Sequence, residues 1–478
     1  MPVAERTALT YFAIASILVA ASSAWCPADT PAFPGAQGGG AAAVGGRGGR
    51  VIEVTNLNAA GPGSLRAACE AKGQRIVTFR VSGIIDLAGK AITIRNPYIT
   101  IAGQTAPGGG VIIRGHELGV AAHDVIVRFI RVRTGRRDEF HNQEGDCIAL
   151  TSNCRDIMID HCSASWSNDE NMQIWSGKTP AHRVTFSWNL IAEGLTYNHG
   201  SCGLIVGSNE DAVGIHAISI HHNLFMHGNN RFPLVKCRDA RIISNIMYNW
   251  TWWPTGIAGG IRVDIIGNRY KPGPDTKPSN LYEVQVRSDW DGPNYGPPGK
   301  PSIFINGNLG PHQDNPKGDN WPMLMLNDRW RPLGRQPDRA ACERAEPMPA
   351  SPYPITVHPV SDIETEILPD VGASRRLDEN GNWVANRDAV DLRLVKEYTT
   401  GTGTIPKDEN SVGGYPTLAP GTPYPDGDHD GMPDAYEKKH GFDPSSPTDG
   451  PADADGDGYT NIEEFLNGTN PRAVDRSD

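Results

Sequence analysis

Residues 218–268 read ISIHHNLFMHGNNRFPLVKCRDARIISNIMYNWTWWPTGIAGGIRVDIIGN. Short β-branched runs such as Ile218-Ser219-Ile220 and Ile242-Ile243 are closed by an asparagine, in His-His-Asn at Asn223, Ile-Ser-Asn at Asn245 and Ile-Gly-Asn at Asn268. Upstream, Ser-Trp-Asn ends at Asn189 in the same way, and the successive intervals are 34, 22 and 23 residues. Strand-length apolar runs with turn punctuation argue many short strands. A period near 22 with one turn asparagine per repeat predicts a parallel β-helix. Its asparagine side chains would hydrogen-bond from coil to coil and satisfy the backbone at each bend. The first interval reads as one coil plus an insertion of about a dozen residues. An irregular β-sandwich with chance asparagine turns is the competing reading.

The same punctuated runs extend upstream through Ile92–Ile94, Ile99–Ile101, Val111–Ile113, Val125–Val127, Ile157–Ile159 and Val184–Phe186. With 54 Gly and 38 Pro in 478 residues, a helical bundle or coiled coil is excluded. Residues 270–350 read as long loops with a few late coils. A short helix is expected around Ala389 to Tyr398.

Net charge is −11, and nearly all of it lies in residues 421–470, which hold twelve acids and two bases. Nucleic-acid binding needs a basic excess and is not expected. Residues 1–24 read as a secretory signal: Arg6, an apolar run from Ala8 to Ala20, then Ser22-Ser23-Ala24. That run is too short for a membrane span, so the protein is expected to be secreted, extracellular or periplasmic. The eight cysteines of an exported chain permit disulfides, with a pairing the sequence does not give.

The acidic tail repeats one pattern. Asp426, Asp428, Asp430, Gly431, Asp434 and Glu437 recur as Asp453, Asp455, Asp457, Gly458, Asn461 and Glu464. Oxygen ligands at loop positions 1, 3, 5, 9 and 12 with glycine at 6 spell an EF-hand calcium loop. Two loops only 27 residues apart resemble dockerin-like and thrombospondin type-3 modules. The expected organisation is therefore signal 1–24, β-helix 25–410, linker 411–423 and a paired calcium-loop module over 424–478. That module could dock to a scaffold or cell surface, and a monomer is expected.

Chemistry concentrates between Glu144 and Lys236. Asp169 follows Asp146 by 23 residues, about one coil, which predicts neighbouring rungs near 4.8 Å apart. Two-residue alternation puts Glu144 with Asp146, and Asp169 with Gln173, on shared faces. Converging carboxylates repel unless a hard cation relieves them, so a calcium site of Glu144, Asp146, Asp169 and Gln173 is expected. From residue chemistry alone Arg231 is an electrostatic clamp and His227 a candidate base, with His221 and His222 ordinary coil-surface residues. Trp250, Trp252 and Trp253 read as packing, with sugar stacking the alternative.

The chain resembles the pectate lyases of polysaccharide lyase family 1 from Phe33 to Leu418. Phe33-Pro34-Gly35-Ala36, Val81 to Leu87, Ile159-Asp160-His161, Asn230 to Lys236, Val371 to Ser374 and Arg387 to Asp391 carry the likeness. The resemblance implies a single-stranded right-handed parallel β-helix that cleaves polygalacturonate by calcium-assisted β-elimination. Glu144, Asp146 and Asp169 then match calcium ligands, Arg231 the base, and Lys236 a substrate-gripping cation in place of arginine. An arginine base is chemically awkward, because guanidinium keeps its proton in proteins. Gln173 replaces an acid. Cys202 stands where a substrate-binding lysine is usual, with His199 in the insertion beside it as a substitute. The competing readings are a β-helix hydrolase, which lacks the paired aspartates it would need, a non-catalytic polysaccharide-binding β-helix, and a lyase on another uronan.

Overall fold

The structure is a computed structural model and describes residues 30–136, 145–196, 202–287, 296–328 and 331–474. Short parallel strands wind into a single-stranded right-handed β-helix with three sheets. The first sheet stacks ten strands, from Arg50–Val54 to Ser302–Asn306, in strict chain order once each coil is counted. The second runs from Gly83–Asp86 to Arg269–Lys271 and the third from Ile92–Ile94 to Leu324–Asp328.

Register explains why this sequence coils. One inward column of the first sheet reads Val77, Ile101, Val127, Ile159, Phe186, Ile220, Ile242 and Ile265. All of them are buried, and β-branched side chains pack well on a pleated surface. Each coil alone has too little apolar surface to fold, so stacking supplies the core.

The asparagine ladder forms as the spacing predicts. Asn189 donates its backbone N–H to Asn223 Oδ1 at 2.9 Å, Asn223 does so to Asn245 at 3.0 Å, and Asn245 to Asn268 at 2.9 Å. Asn308 and Asn320 extend it, at 2.8 and 2.7 Å; intervals of 40 and 12 residues hid them from the period. The residue before Asn189, Asn223 and Asn245 is left-handed, with φ of 55° at Trp188, 56° at His222 and 51° at Ser244. This bend throws the preceding side chain outward. His161, Trp188 and His222 consequently stack, with centroids 5.6 and 4.6 Å apart. His222, within the stack, and His221, edge-on to it, are thus buried and not ordinary coil-surface residues as expected. Burial holds both imidazoles below their usual range.

The C-terminal chain folds back over the β-helix. The helix Ala389–Thr400 covers the second sheet, its Leu394 and Tyr398 packing among Leu224, Ile246 and Tyr248. Its N-cap Asp388 and its Asp391 pair with the buried Arg133, each at 2.7 Å. The stretch read as a linker touches the barrel, since Gly109 donates to Ala419 O at 2.8 Å and Tyr415 Oη to Arg133 O at 2.9 Å. The tail packs Met432, Tyr436, Ile462, Phe465 and Leu466 on Ile76 and Ala102, against the first sheet. The seven cysteines among the described residues are buried free thiols, and no disulfide joins them; Cys26 lies outside the described residues. All of them but Cys202 belong to the apolar core, where a thiol behaves as a small apolar group.

Candidate active site

The outer face of the third sheet gathers the charged residues. In strand Glu170–Ser176, Met172 and Ile174 belong to the core, which turns Gln173 and Trp175 outward. Trp175 pairs with Gly207 on the next strand. One rung on, Lys236 follows the pair Val206–Val235 and donates its backbone N–H to Val206 O at 2.8 Å. Its ammonium lies 4.4 Å from the Trp175 ring centroid. Gly207 makes this meeting feasible: a Cβ there would lie 2.8 Å from Lys236 Cε and 2.9 Å from Trp175 Cζ3. Burial, and then the Arg231 and Arg287 cations, push the Lys236 ammonium down to about 7.

Arg231 ends the strand Leu224–Asn230 and is itself left-handed, with φ 64°. Its carbonyl accepts from Leu204 N at 2.6 Å, and a Cβ at Gly203 would sit 2.5 Å from that oxygen. A glycine at 203 is therefore what lets the Arg231 backbone approach the neighbouring coil. The guanidinium Nη1 forms an ion pair with Glu170 Oε1.

Glu170 is the residue the sequence reading missed. The strands Ile148–Leu150 and Glu170–Ser176 pair Ile148 with Met172, a step of 24 residues. Asp146 is consequently matched by Glu170 and not by Asp169, correcting the 23-residue count; Glu170 N donates to Asp146 Oδ1 at 3.0 Å. The adjacent acids Asp169-Glu170 were the available signal, and only the register chooses between them. Asp169 still joins the group, since ligand atoms of Asp169, Glu170 and Cys202 lie within 4.8 Å of one another. Gln173 lies beside the acids, its amide nitrogen donating to Asp146 Oδ2.

The donor set suits a hard cation. Asp146, Asp169 and Glu170 are buried carboxylates brought to one place, and oxygen ligands of this kind hold calcium. Burial, with Asp169 and Asp146 next, raises the Cys202 thiol well above the usual range, and its Sγ lies 3.4 Å from Asn230 Oδ1. Glu144 and His199 lie outside the described residues.

His227 is not a base for this cleft. It is buried beneath the helix Ala389–Thr400, with Asn249 Nδ2 2.8 Å from its Nδ1 and Glu397 3.3 Å from its Nε2. Trp250 is core and gives its indole N–H to Asn280 O at 2.7 Å. Trp253 packs with Ile205 and Leu234 on the outer face of the third sheet, and Trp252 is exposed.

In the tail, Asp428, Asp430 and Glu437 converge, as do Asp453, Asp455 and Asp457. Burial, then repulsion from neighbouring acids, raises Glu437 to about 8. The other expected tail ligands take backbone or side-chain donors of their own module. Asp426 accepts from His429 N at 2.8 Å, Asp434 from Gly427 N at 2.8 Å, and Asn461 Oδ1 from Ala454 N at 3.2 Å. Glu464 accepts the Thr469 hydroxyl.

Fold and site together define a parallel β-helix protein with a cleft of carboxylates and cations on its third sheet. Comparison supplies the family. The chain is 32% identical over 452 residues to a Neosartorya fischeri protein named "Probable pectate lyase C", spanning 92% of this chain and 94% of that one. An Emericella nidulans protein of the same name is 33% identical over 446 residues, 92% and 93% of the two chains. The chain belongs to the pectate lyase family and is a lyase. Among solved structures, the cedar-pollen allergen Jun a 1 aligns with TM-score 0.49 at 15% identity, covering 70% of this chain and 92% of that one. No family model matches the chain.

Proposed function

We propose that the protein is an exported, calcium-dependent pectate lyase that cleaves de-esterified pectin, polygalacturonate, by β-elimination to 4,5-unsaturated oligogalacturonides. The observation that carries this reading is the Glu170–Arg231 contact beside Asp146 and Asp169, with Lys236 one rung along. Calcium, held by Asp146, Asp169 and Glu170, would neutralise a uronate carboxylate and acidify the neighbouring carbon. Lys236 grips a substrate carboxylate as a point charge. For Arg231 to act as the base, its guanidinium must first lose one proton to solvent, and the neutral nitrogen would then take the carbon-5 proton. The carbon-4 glycosidic oxygen then leaves as the carbon 4–5 double bond forms. Glu170 opposes this in the resting protein, because a carboxylate partner holds the guanidinium proton in place. Proton transfer therefore requires Glu170 to release Arg231 and serve as a metal ligand.

The test is ultraviolet absorbance of the unsaturated product with purified protein and polygalacturonate, with calcium or chelator. Calcium-dependent absorbance is expected, with Arg231→Ala losing on the order of 10²-fold or more in turnover while calcium binding is kept. Tight binding of polygalacturonate with no product at any pH would replace the lyase reading with the polysaccharide-binding one.

A further inference from the structure

The tail brings one acid from outside the first loop to three acids of that loop. Ligand oxygens of Asp428, Asp430, Glu437 and Asp449 all lie within 4.8 Å of one another. Asp449 stands twelve residues beyond the last position of the first loop. Glu437 is fully buried, and neither of its carboxylate oxygens has a hydrogen-bond partner. Asp428 Oδ2, Asp430 Oδ2 and Asp449 Oδ1 are likewise buried without one. Buried polar groups are nearly always partnered, and a buried carboxylate without a partner is strongly disfavoured.

We propose that Asp428, Asp430, Glu437 and Asp449 form one site for a hard divalent cation, calcium, in which Asp449 closes the ligand shell from outside the loop and the ion clamps the tail onto the β-helix. Oxygen-only donors at this density are calcium ligands, and a buried glutamate can ligate through both oxygens. The backbone is built to bring Asp449 in. A Cβ at Gly450 would lie 2.4 Å from Asp430 Oδ2, so only glycine lets this segment approach. Asp449 Oδ2 is taken by Asp443 N at 3.1 Å, which leaves Oδ1 for the group. Asn461 Nδ2 donates to Asp449 O at 2.7 Å and Ile462 N to Gly450 O at 3.0 Å. The second loop's helix thereby holds the first loop's extra ligand, and one ion ties both loops together. The same two helices supply Tyr436, Ile462 and Phe465 to the contact with Ile76 and Ala102. Arg47 adds an ion pair to Glu463 at 3.0 Å. Without the ion, four carboxylates repel beneath that apolar face and the tail loosens from the first sheet. None of these residues belongs to the cleft, so the inference stands whatever the substrate.

The experiment is hydrogen–deuterium exchange of the full chain, stripped by chelator and titrated with calcium alone. Calcium is expected to protect the helices Asp434–His440 and Asn461–Asn467 together. Asp449→Asn keeps an oxygen but loses a charge, and should need about tenfold more calcium for the same protection. Asp449→Ala should remain unprotected at calcium levels that saturate the wild type. Asp434→Asn, at a loop-pattern position whose side chain here accepts Gly427 N, should change the requirement by less than about twofold. Protection of both helices in chelator would overturn the proposal. So would Asp449→Asn saturating with the wild type, or Asp434→Asn shifting as far as Asp449→Asn.

Discussion

Lys236 carries its charge in a buried place, beside Arg231 and Arg287 and over the face of Trp175. Its ammonium, pushed down to about 7, is discharged as pH rises through neutrality in the free protein, and its hold on a substrate carboxylate weakens. KM for polygalacturonate is therefore expected to climb between pH 6.5 and 9. Lys236→Arg, which stays charged, should flatten that climb; superimposable KM profiles would remove Lys236 from substrate binding. Asp160 behaves oppositely. Burial resists its ionisation, but His161 and Arg128 overcome this and hold it below the usual carboxylate range. Arg128 Nε lies 2.8 Å away and Ser187 Oγ donates at 2.8 Å. An acid depressed on folding contributes stability above its unfolded pKa of about 4 and loses it as pH falls through the folded value. Asp160→Asn is expected to cost about 3–5 kcal/mol at pH 7, with the gap to wild type narrowing below about pH 4. Denaturant melts at pH 7 and 3 check this, and a gap independent of pH would contradict it.

The asparagine ladder and the C-terminal helix are elements whose stability rests on buried polar satisfaction. Asn245 Oδ1 accepts from the backbone and side chain of Asn223, and its Nδ2 donates to Ile220 O at 2.9 Å and Asn268 Oδ1 at 3.0 Å. Asn245→Ala leaves several of these groups unpaired in the bore, so a loss on the order of 2–4 kcal/mol is expected. Asn320→Ala, at the ladder's end, should cost less. Equal losses in chemical denaturation would show that the ladder does not act as a chain. Arg133 lies between Asp388 and Asp391. Arg133→Met strands two buried carboxylates and is expected to cost about 3–5 kcal/mol; a smaller effect would mean that Arg131, 3.5 Å from Asp388, suffices alone. The ladder was legible because Asn223, Asn245 and Asn268 keep nearly one period. The ion pairs were not, since Arg133 and Asp391 are 258 residues apart and nothing local links them.

The whole molecule is held without cross-links among its described residues. Cys69, Cys147, Cys154 and Cys162 are buried, and burial pushes their thiols up to about 12. Reductant is therefore expected to leave the melting temperature unchanged. Alkylation at pH 8 should be slow until the protein unfolds, because the thiolate is the reactive form. A melting temperature lowered by reductant would mean that a disulfide contributes to stability.

By itself the sequence determined the coil: β-branched runs at one period, with an asparagine at each bend, have no better burial than stacking on themselves. It also singled out Asp146, Arg231 and Lys236, through a resemblance carried by local motifs. The register step that puts Glu170, one residue past the expected Asp169, against Arg231 was decided only in the tertiary structure. So were the burial of His227 under a helix more than a hundred residues downstream and the arrival of Asp449 among the tail acids. Each depends on how one coil or loop lies against another, and a slip of a single residue turns a strand's side chains to the opposite face.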